Sequence, residues 1–280
     1  MLTTPLPNLA AWTEHFLRMP LPVLRHTARA LEKLAEAADT VSARDIATVV
    51  MRDPLMTLKV LAYVSGHKSK RQLSDIETIE AAVVMMGVPP FFSAFCDAPH
   101  IEDVLHGHRE AHLGLMRVIA RAYRAARFAQ NWAAYRQDLD WEVIVIAALL
   151  HDLSEMLLWC FAPNLALDIS QRQKQDPHLR SRVAQKTVLG IELNELEIAL
   201  MNRWRLPELL LRMVDDQHAE EPQVRNVVYA VNLARHSAGG WNDAALPDDF
   251  SAIATLLTTT PQHVRAMVAP EHEKWVSETI

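Results

Sequence analysis

The residues best suited to chemistry are His151 and Asp152, adjacent in the apolar run AALLHDLSEMLLW, residues 147–159. Imidazole and carboxylate groups are common ligands of divalent metals, which can activate water for hydrolysis. Adjacent helix positions point about 100° apart, so a metal would need further His or Asp ligands from neighbouring helices. A buried aspartate needs some partner: a metal, an arginine or the free N–H groups at a helix start. For a His-Asp dipeptide alone, internal hydrogen bonding is the commoner role.

The composition is that of an ordinary folded protein. The chain has 280 residues, half of them hydrophobic, and a formal net charge of -6. This length predicts one large domain or two lobes. The chain has no global basic excess of the kind that indicates a nucleic-acid partner.

The remaining global features predict a cytoplasmic protein. Cys96 and Cys160 lie in apolar, helix-like runs and are typical of buried free thiols in a reducing compartment. The start MLTTPLPNLAAW lacks the features of a signal peptide. The apolar stretch VIVIAALL is interrupted by the His-Asp pair, so we predict no membrane span.

Helical periodicity dominates the chain, and no segment alternates convincingly as a strand does. The first clear helix is predicted after MPLPVL. Ser42 and Asp45 predict a capped start for the next helix, and DPLMTLKVLAYVSG begins with an aspartate cap and ends at Gly66. The run at residues 141–161 is apolar nearly all round, which predicts one central helix. The predicted fold is all-α.

A long helix is predicted over roughly residues 109–133, with Arg117, Arg121 and Arg124 opposite its apolar face. We interpret this basic stripe as solvated surface rather than as a partner or anion site. The basic segment GHKSKR, residues 66–71, and the segment DDQH, residues 215–218, are likewise more typical of surface than of a phosphate contact or a metal site.

The run LLHDLSEMLL resembles the HDOD branch of the HD superfamily of metal-dependent phosphohydrolases, which typically carries a run such as LLHDIGKLLL. The segments LPVLRHTARALEKL and VLGIELNELEIALMNRWRLPELLLRMVDDQH are similar to further parts of that family, so the resemblance covers about residues 15–240. It implies a multi-helical fold in which an N-terminal lobe, residues 1–100, packs on a C-terminal HD-like lobe, residues 101–280.

The departures from the family concern its metal ligands. Active HD enzymes add a histidine before the HD pair and an aspartate after it, and related enzymes add further histidines. In this chain other residue types take four such positions: Arg117, Asn194, Gln217 and Asn232. An arginine cannot coordinate a cation, and amides are poor ligands for transition metals. His151, Asp152 and His218 remain.

An alternative register keeps the first histidine. His108 and His112 are four residues apart on the apolar side of the long helix, and either could supply it. That register places Arg117 and Arg124 at apolar positions, so it fits the following pattern less well.

The resemblance therefore implies a bacterial signalling module that binds a signalling protein or a small ligand. We expect a degenerate metal site, no cofactor, and no membrane or clear nucleic-acid partner. The alternative is an HD-type phosphohydrolase acting on a nucleotide or cyclic dinucleotide, with a divalent transition metal held by His151, Asp152, His112 and His218. A third possibility is an anion site in which an inward-pointing Arg117 pairs with Asp152 or holds a phosphate.

Overall fold

The computed structural model describes residues 1–67, 75–176 and 178–268. Within these ranges the structure contains helices, one isolated bridge between Val23 and His100, and no strand. The all-α prediction is confirmed. Positions 68–71 of the basic segment GHKSKR lie outside the described residues.

Eight helices form the first half of the chain: α1 Leu9–Leu17, α2 Arg25–Ala35, α3 Ala43–Val50, α4 Pro54–Gly66, α5 Ile79–Met86, α6 Val88–Phe95, α7 Ile101–Val104 and α8 Arg109–Arg136. Eight more are assigned in the second half: α9 Trp141–Leu150, α10 Leu153–Phe161, α11 Pro163–Gln175, α12 Ser181–Leu189, α13 Leu193–Arg203, α14 Glu208–Val214, α15 Pro222–His236 and α16 Leu246–Leu257. Residues 261–268 are also helical.

The chain divides into two compact units. Unit 1 comprises Met1–Ala120 with Leu150–Leu211, and unit 2 comprises Arg121–Leu149 with Arg212–Ile280. The predicted division into residues 1–100 and 101–280 is a different partition, and it stays a prediction.

Helix starts in unit 1 follow the capping residues of the sequence. Ser42 and Asp45 form the predicted capping box: each side chain accepts a hydrogen bond from the other residue's backbone N–H, at 3.2 and 3.0 Å. α4 begins at Pro54 and ends at Gly66, as predicted. α1 was not predicted, although Asn8 caps it and it buries the aromatic side chains of Trp12 and Phe16.

Asp53 is fully buried and joins two helix starts in unit 1. One carboxylate oxygen accepts hydrogen bonds from the N–H groups of Leu55 and Met56, at 3.0 and 3.1 Å, in the first turn of α4. The other oxygen accepts from the N–H of Leu24, at 2.7 Å, just before α2. Burial raises the pKa of Asp53, against the opposing effect of these N–H donors. The aspartate therefore ties α2 to α4.

The central apolar run is two helices rather than the predicted one. α9 ends at Leu150 and α10 begins at Leu153, so that His151 and Asp152 form the break between them. By length and composition alone residues 141–161 would pass as a membrane span, despite the His-Asp pair. In the structure 89% of the most apolar part of this run is buried inside the protein, which is typical of a core helix.

A glycine lets α10 pack closely on α8 in unit 1. A Cβ atom on Gly114 would lie 2.5 to 2.7 Å from three ring atoms of Trp159 in α10. No larger residue fits there unless the ring moves. This contact therefore sets how closely the second half of α10 lies to α8.

Candidate functional site around His151 and Asp152

The break between α9 and α10 gives His151 and Asp152 their positions. Asp152 occupies the position before the first turn of α10, but its side chain makes no capping hydrogen bond to that helix. Both side chains are nearly buried, with 13% and 9% of their surface exposed, and the Nδ1 of His151 lies 4.0 Å from the Oδ1 of Asp152. The pair therefore sits at a helix start, where unpaired backbone N–H groups favour an acceptor.

That acceptor is Glu197, which reaches the start of α10 from α13. Its Oε2 accepts a hydrogen bond from the backbone N–H of Ser154, at 3.3 Å. The Ser154 hydroxyl lies 3.2 Å from the same oxygen and 2.9 Å from the carbonyl oxygen of Leu193, so its single hydrogen is donated to one or shared between both. Glu197 thus takes the capping role that the adjacent Asp152 does not fill.

Glu197 is one of the few buried charged residues of unit 1. It is 4% exposed, and among the described residues its second oxygen, Oε1, has no hydrogen-bond partner. Burial raises the pKa of Glu197 well above its ordinary value, and the neighbouring Asp152 adds to the rise. His151 and the two Ser154 contacts act in the opposite direction without overcoming burial. The site therefore makes Glu197 bind its proton more tightly than an exposed glutamate does.

Glu197 was missed by the sequence analysis, although the sequence carries a signal for it. The apolar stripe of α13 comprises Leu193, Leu196, Leu200 and Met201, all buried. Glu197 lies on that stripe at helical spacing, where an acidic residue is unusual. A charged residue on an apolar helix face needs a buried partner, and here the partner is the start of α10.

The predicted site residues of unit 1 are not all at this centre. Arg117 on α8 and Asn194 on α13 are exposed, which does not support their placement in a buried pocket or the idea of an inward-pointing Arg117. His112, also on α8, is partly buried, and its Nε2 has no hydrogen-bond partner among the described residues. His108 is partly buried too, and its carbonyl oxygen accepts the N–H of His112 at 2.9 Å.

The other predicted residues belong to unit 2. Gln217 is exposed, and Asn232 is partly buried on α15. The Nδ1 of His218 lies 3.3 Å from the Oδ2 of Asp215, within one short turn that follows α14. This local contact agrees with the interpretation of DDQH as a helix end.

The basic stripe on α8 is only partly solvated. Arg124 in unit 2 is half-buried, and it donates a hydrogen bond of 2.6 Å to the carbonyl oxygen of Ala234 in the last turn of α15. Burial lowers the pKa of Arg124. The prediction of plain surface was therefore wrong for Arg124, which binds a helix C-terminus, where a cation is favoured.

The donors around His151 do not fit a transition metal ion. Such an ion needs at least three donor groups directed at one point. Over the described ranges, no three His, Cys, Asp or Glu side chains are grouped so as to hold one. The carboxylate beside the pair, Glu197, already accepts from Ser154 through Oε2.

Comparisons with known proteins agree with this architecture. The HDOD domain family matches residues 21–220. The fold is similar to that of the MmoQ response regulator from Methylococcus capsulatus str. Bath, with 17% identity and a TM-score of 0.65 over 90% of this chain and 99% of that chain. A virulence factor from Campylobacter jejuni subsp. jejuni has 20% identity and a TM-score of 0.65 over 90% of each chain.

A third similar structure is an HDOD domain protein with unknown function from Geobacter sulfurreducens, with 16% identity and a TM-score of 0.51 over 95% of each chain. No curated protein matches the sequence. At these identities the solved structures establish the fold and nothing further.

Proposed function

Because the chain belongs to the HDOD family over residues 21–220, we propose that it is a regulatory module of bacterial signal transduction. It acts by binding another protein or a small ligand, and it does not hydrolyse a phosphoester. The similarity in fold to a protein named as a response regulator supports a signalling context.

One observation carries this proposal: the cap of α10 by Glu197 at the HD pair. The hydrogen bonds from Ser154 commit one oxygen of that carboxyl group to holding two helices together. A hydrolase of the HD type needs ligands free to bind a metal and a metal-activated water. In our proposal His151 and Asp152 persist as buried polar residues of a helix junction, and the neighbouring Glu197 has a structural role there.

The proposal includes a cytoplasmic location and no cofactor. Cys96 and Cys160 are both free thiols, the second fully buried and the first only partly so. Unpaired cysteines are usual in proteins of reducing compartments, which supports this location.

The test compares metal content and hydrolysis in the wild type and a His151→Ala/Asp152→Ala variant. Protein purified without chelators is assayed for transition metals and for activity on nucleotides and cyclic dinucleotides. We expect neither a stoichiometric metal nor turnover. A metal and an activity that are both lost in the variant would overturn the proposal and establish the alternative, an HD-type phosphohydrolase.

The chain provides a matched control. His100 and Asp103 form a second His-Asp pair in unit 1, with 3.1 Å between the Nδ1 of His100 and the Oδ2 of Asp103, and the aspartate is well exposed. A His100→Ala/Asp103→Ala variant removes the same two residue types away from the site. Metal or activity lost equally in both variants would report general damage to the fold rather than a metal site.

A further inference from the structure

The helices α11 and α12 of unit 1 are joined near the tip of their hairpin by a side-chain hydrogen bond. The two helices pack against each other, and the side-chain amide of Gln173 donates a 2.8 Å hydrogen bond to the Ser181 hydroxyl. This bond joins the last turns of α11 to the first residue of α12. The ends of the two helices next to the tip are therefore restrained, which lowers the entropy that their side chains lose on binding.

This tip carries an excess of basic residues. Residues 171–186, the basic tip, contain five Lys or Arg residues and one acidic residue. The segment carries a formal charge of +4, while the whole chain carries -6, so the remainder carries -10. The five cations are exposed: Arg172, Lys174, Arg180, Arg182 and Lys186.

The acidic residue inside the segment, Asp176, binds a backbone N–H group of the turn. The carboxylate of Asp176 accepts a hydrogen bond of 2.9 Å from the backbone N–H of His178. Among the described residues Lys174 and Arg180 form no ion pair, while the Arg182 side chain, 78% exposed, contacts Glu192 with most of its surface still in solvent. The basic tip therefore keeps two cations, Lys174 and Arg180, that no acidic side chain of the described residues neutralises.

Three cations of the basic tip form ion pairs with carboxylates that lie outside the segment. Lys186 and Arg182 bind Glu192, and the Nε of Arg172 lies 2.9 Å from the Oδ1 of Asp168. A guanidinium group matches the planar geometry of a carboxylate and can bind it through two parallel hydrogen bonds. The chemistry of this surface is thus suited to further carboxylates.

We propose that the basic tip binds an acidic segment of a partner protein, with Lys174, Arg180 and Arg182 as the principal contacts. The inference deepens the proposed function and rests on it, since it names the surface and the partner class through which the module acts. The opposite charges steer the acidic segment to these side chains.

Two features favour a protein over a nucleic acid or a lipid surface. Residues 171–186 contain no Phe, Tyr or Trp side chain on which a base could stack. Val183 is 51% exposed within the segment, which offers an apolar contact to a polypeptide but is too small to insert into a bilayer.

The test measures binding of three defined probes to the full chain: a synthetic peptide rich in glutamate and leucine, single-stranded oligothymidine, and vesicles of phosphatidylcholine and phosphatidylglycerol. We expect the peptide to bind most tightly and its affinity to fall as salt rises. A Lys174→Glu/Arg180→Glu/Arg182→Glu variant should weaken peptide binding about tenfold or more. A variant with glutamine at these three positions removes the charges without reversing them, and it tests the same contacts if charge reversal disturbs folding.

The control is Arg29→Glu/Lys33→Glu/Arg44→Glu, which makes the same change in net charge at exposed positions on α2 and α3. It should change peptide affinity by less than about twofold. Tip variants that bind like the wild type, or oligothymidine or vesicles that bind through the tip more tightly than the peptide, would overturn the inference. None of these results depends on metal or hydrolysis, so the inference and the proposed function can fail separately.

Discussion

Asp53 and Glu197 are two buried carboxyl groups of unit 1, and both accept hydrogen bonds at the start of a helix. Asp53 uses both oxygens, since one accepts from Leu55 and Met56 and the other from Leu24. Glu197 uses one oxygen, which accepts from Ser154. Its other oxygen has no hydrogen-bond partner among the described residues.

The difference separates two kinds of buried polar residue. A carboxylate that accepts hydrogen bonds on both oxygens cannot be replaced by an amide of the same shape, because an amide accepts on its oxygen only. A carboxyl group that is bonded on one oxygen needs only a single acceptor, and its protonation is compatible with the fold. Asp53 thus has a fixed hydrogen-bonding role on both oxygens. At the HD site, the second oxygen of Glu197 has no such role among the described residues.

The largest expected effect is that of Asp53→Asn. The new NH₂ group must face the N–H of Leu24 or the N–H groups of Leu55 and Met56, so at least one buried donor loses its acceptor. We expect the free energy of unfolding to fall by about 2–4 kcal/mol, measured by urea denaturation.

A matched variant shows whether this loss is due to burial. Asp45→Asn changes the exposed capping box at the start of α3, where water can replace the lost interaction, and it should cost less than about 1 kcal/mol. Equal losses in the two variants would contradict the special role given to Asp53.

Glu197→Leu has the next largest expected effect. It leaves the N–H of Ser154 without its acceptor, while the Ser154 hydroxyl keeps the carbonyl oxygen of Leu193. Removing a costly buried carboxyl group offsets part of this loss, so we expect a decrease of about 1–2 kcal/mol in the free energy of unfolding. A loss greater than that of Asp53→Asn would reverse the comparison.

The sequence predicted the parts of the fold that depend on local signals. The aspartate before Pro54 and the pair Ser42 and Asp45 mark helix starts by their own hydrogen bonds, and both starts are confirmed. The resemblance to the HDOD family, carried by spaced motifs, is confirmed over residues 21–220.

The candidate site was less predictable because its contacts are long-range. Ser154 and Glu197 are 43 residues apart in the chain, and no local pattern pairs them. The same holds for Arg124, whose acceptor on Ala234 is 110 residues away. The helix break at His151 was missed because an apolar run on both sides of it has the periodicity of one continuous helix.

A further effect is expected in the pH dependence of stability. Because the pKa of Glu197 is raised by burial, the folded state binds its proton more tightly than the unfolded state does. The resulting stabilisation is fully present below the unfolded pKa, about 4.3, and is lost as pH rises through the folded value. Wild-type stability should therefore decrease relative to that of Glu197→Gln as pH rises from about 5, in urea titrations at several pH values. A difference that is constant with pH would contradict the raised pKa.

Glu197→Gln at about pH 5 should have the smallest effect, below about 0.5 kcal/mol. The glutamine carbonyl can accept from Ser154 as Oε2 does, and its NH₂ group takes the place of Oε1, where no described donor is displaced. The same substitution of amide for acid is therefore costly at Asp53 and nearly neutral at Glu197, and one set of urea denaturation curves measures both. A loss above about 2 kcal/mol at Glu197 would mean that Oε1 also has an acceptor role, and the HD site would then be as fixed as the junction around Asp53.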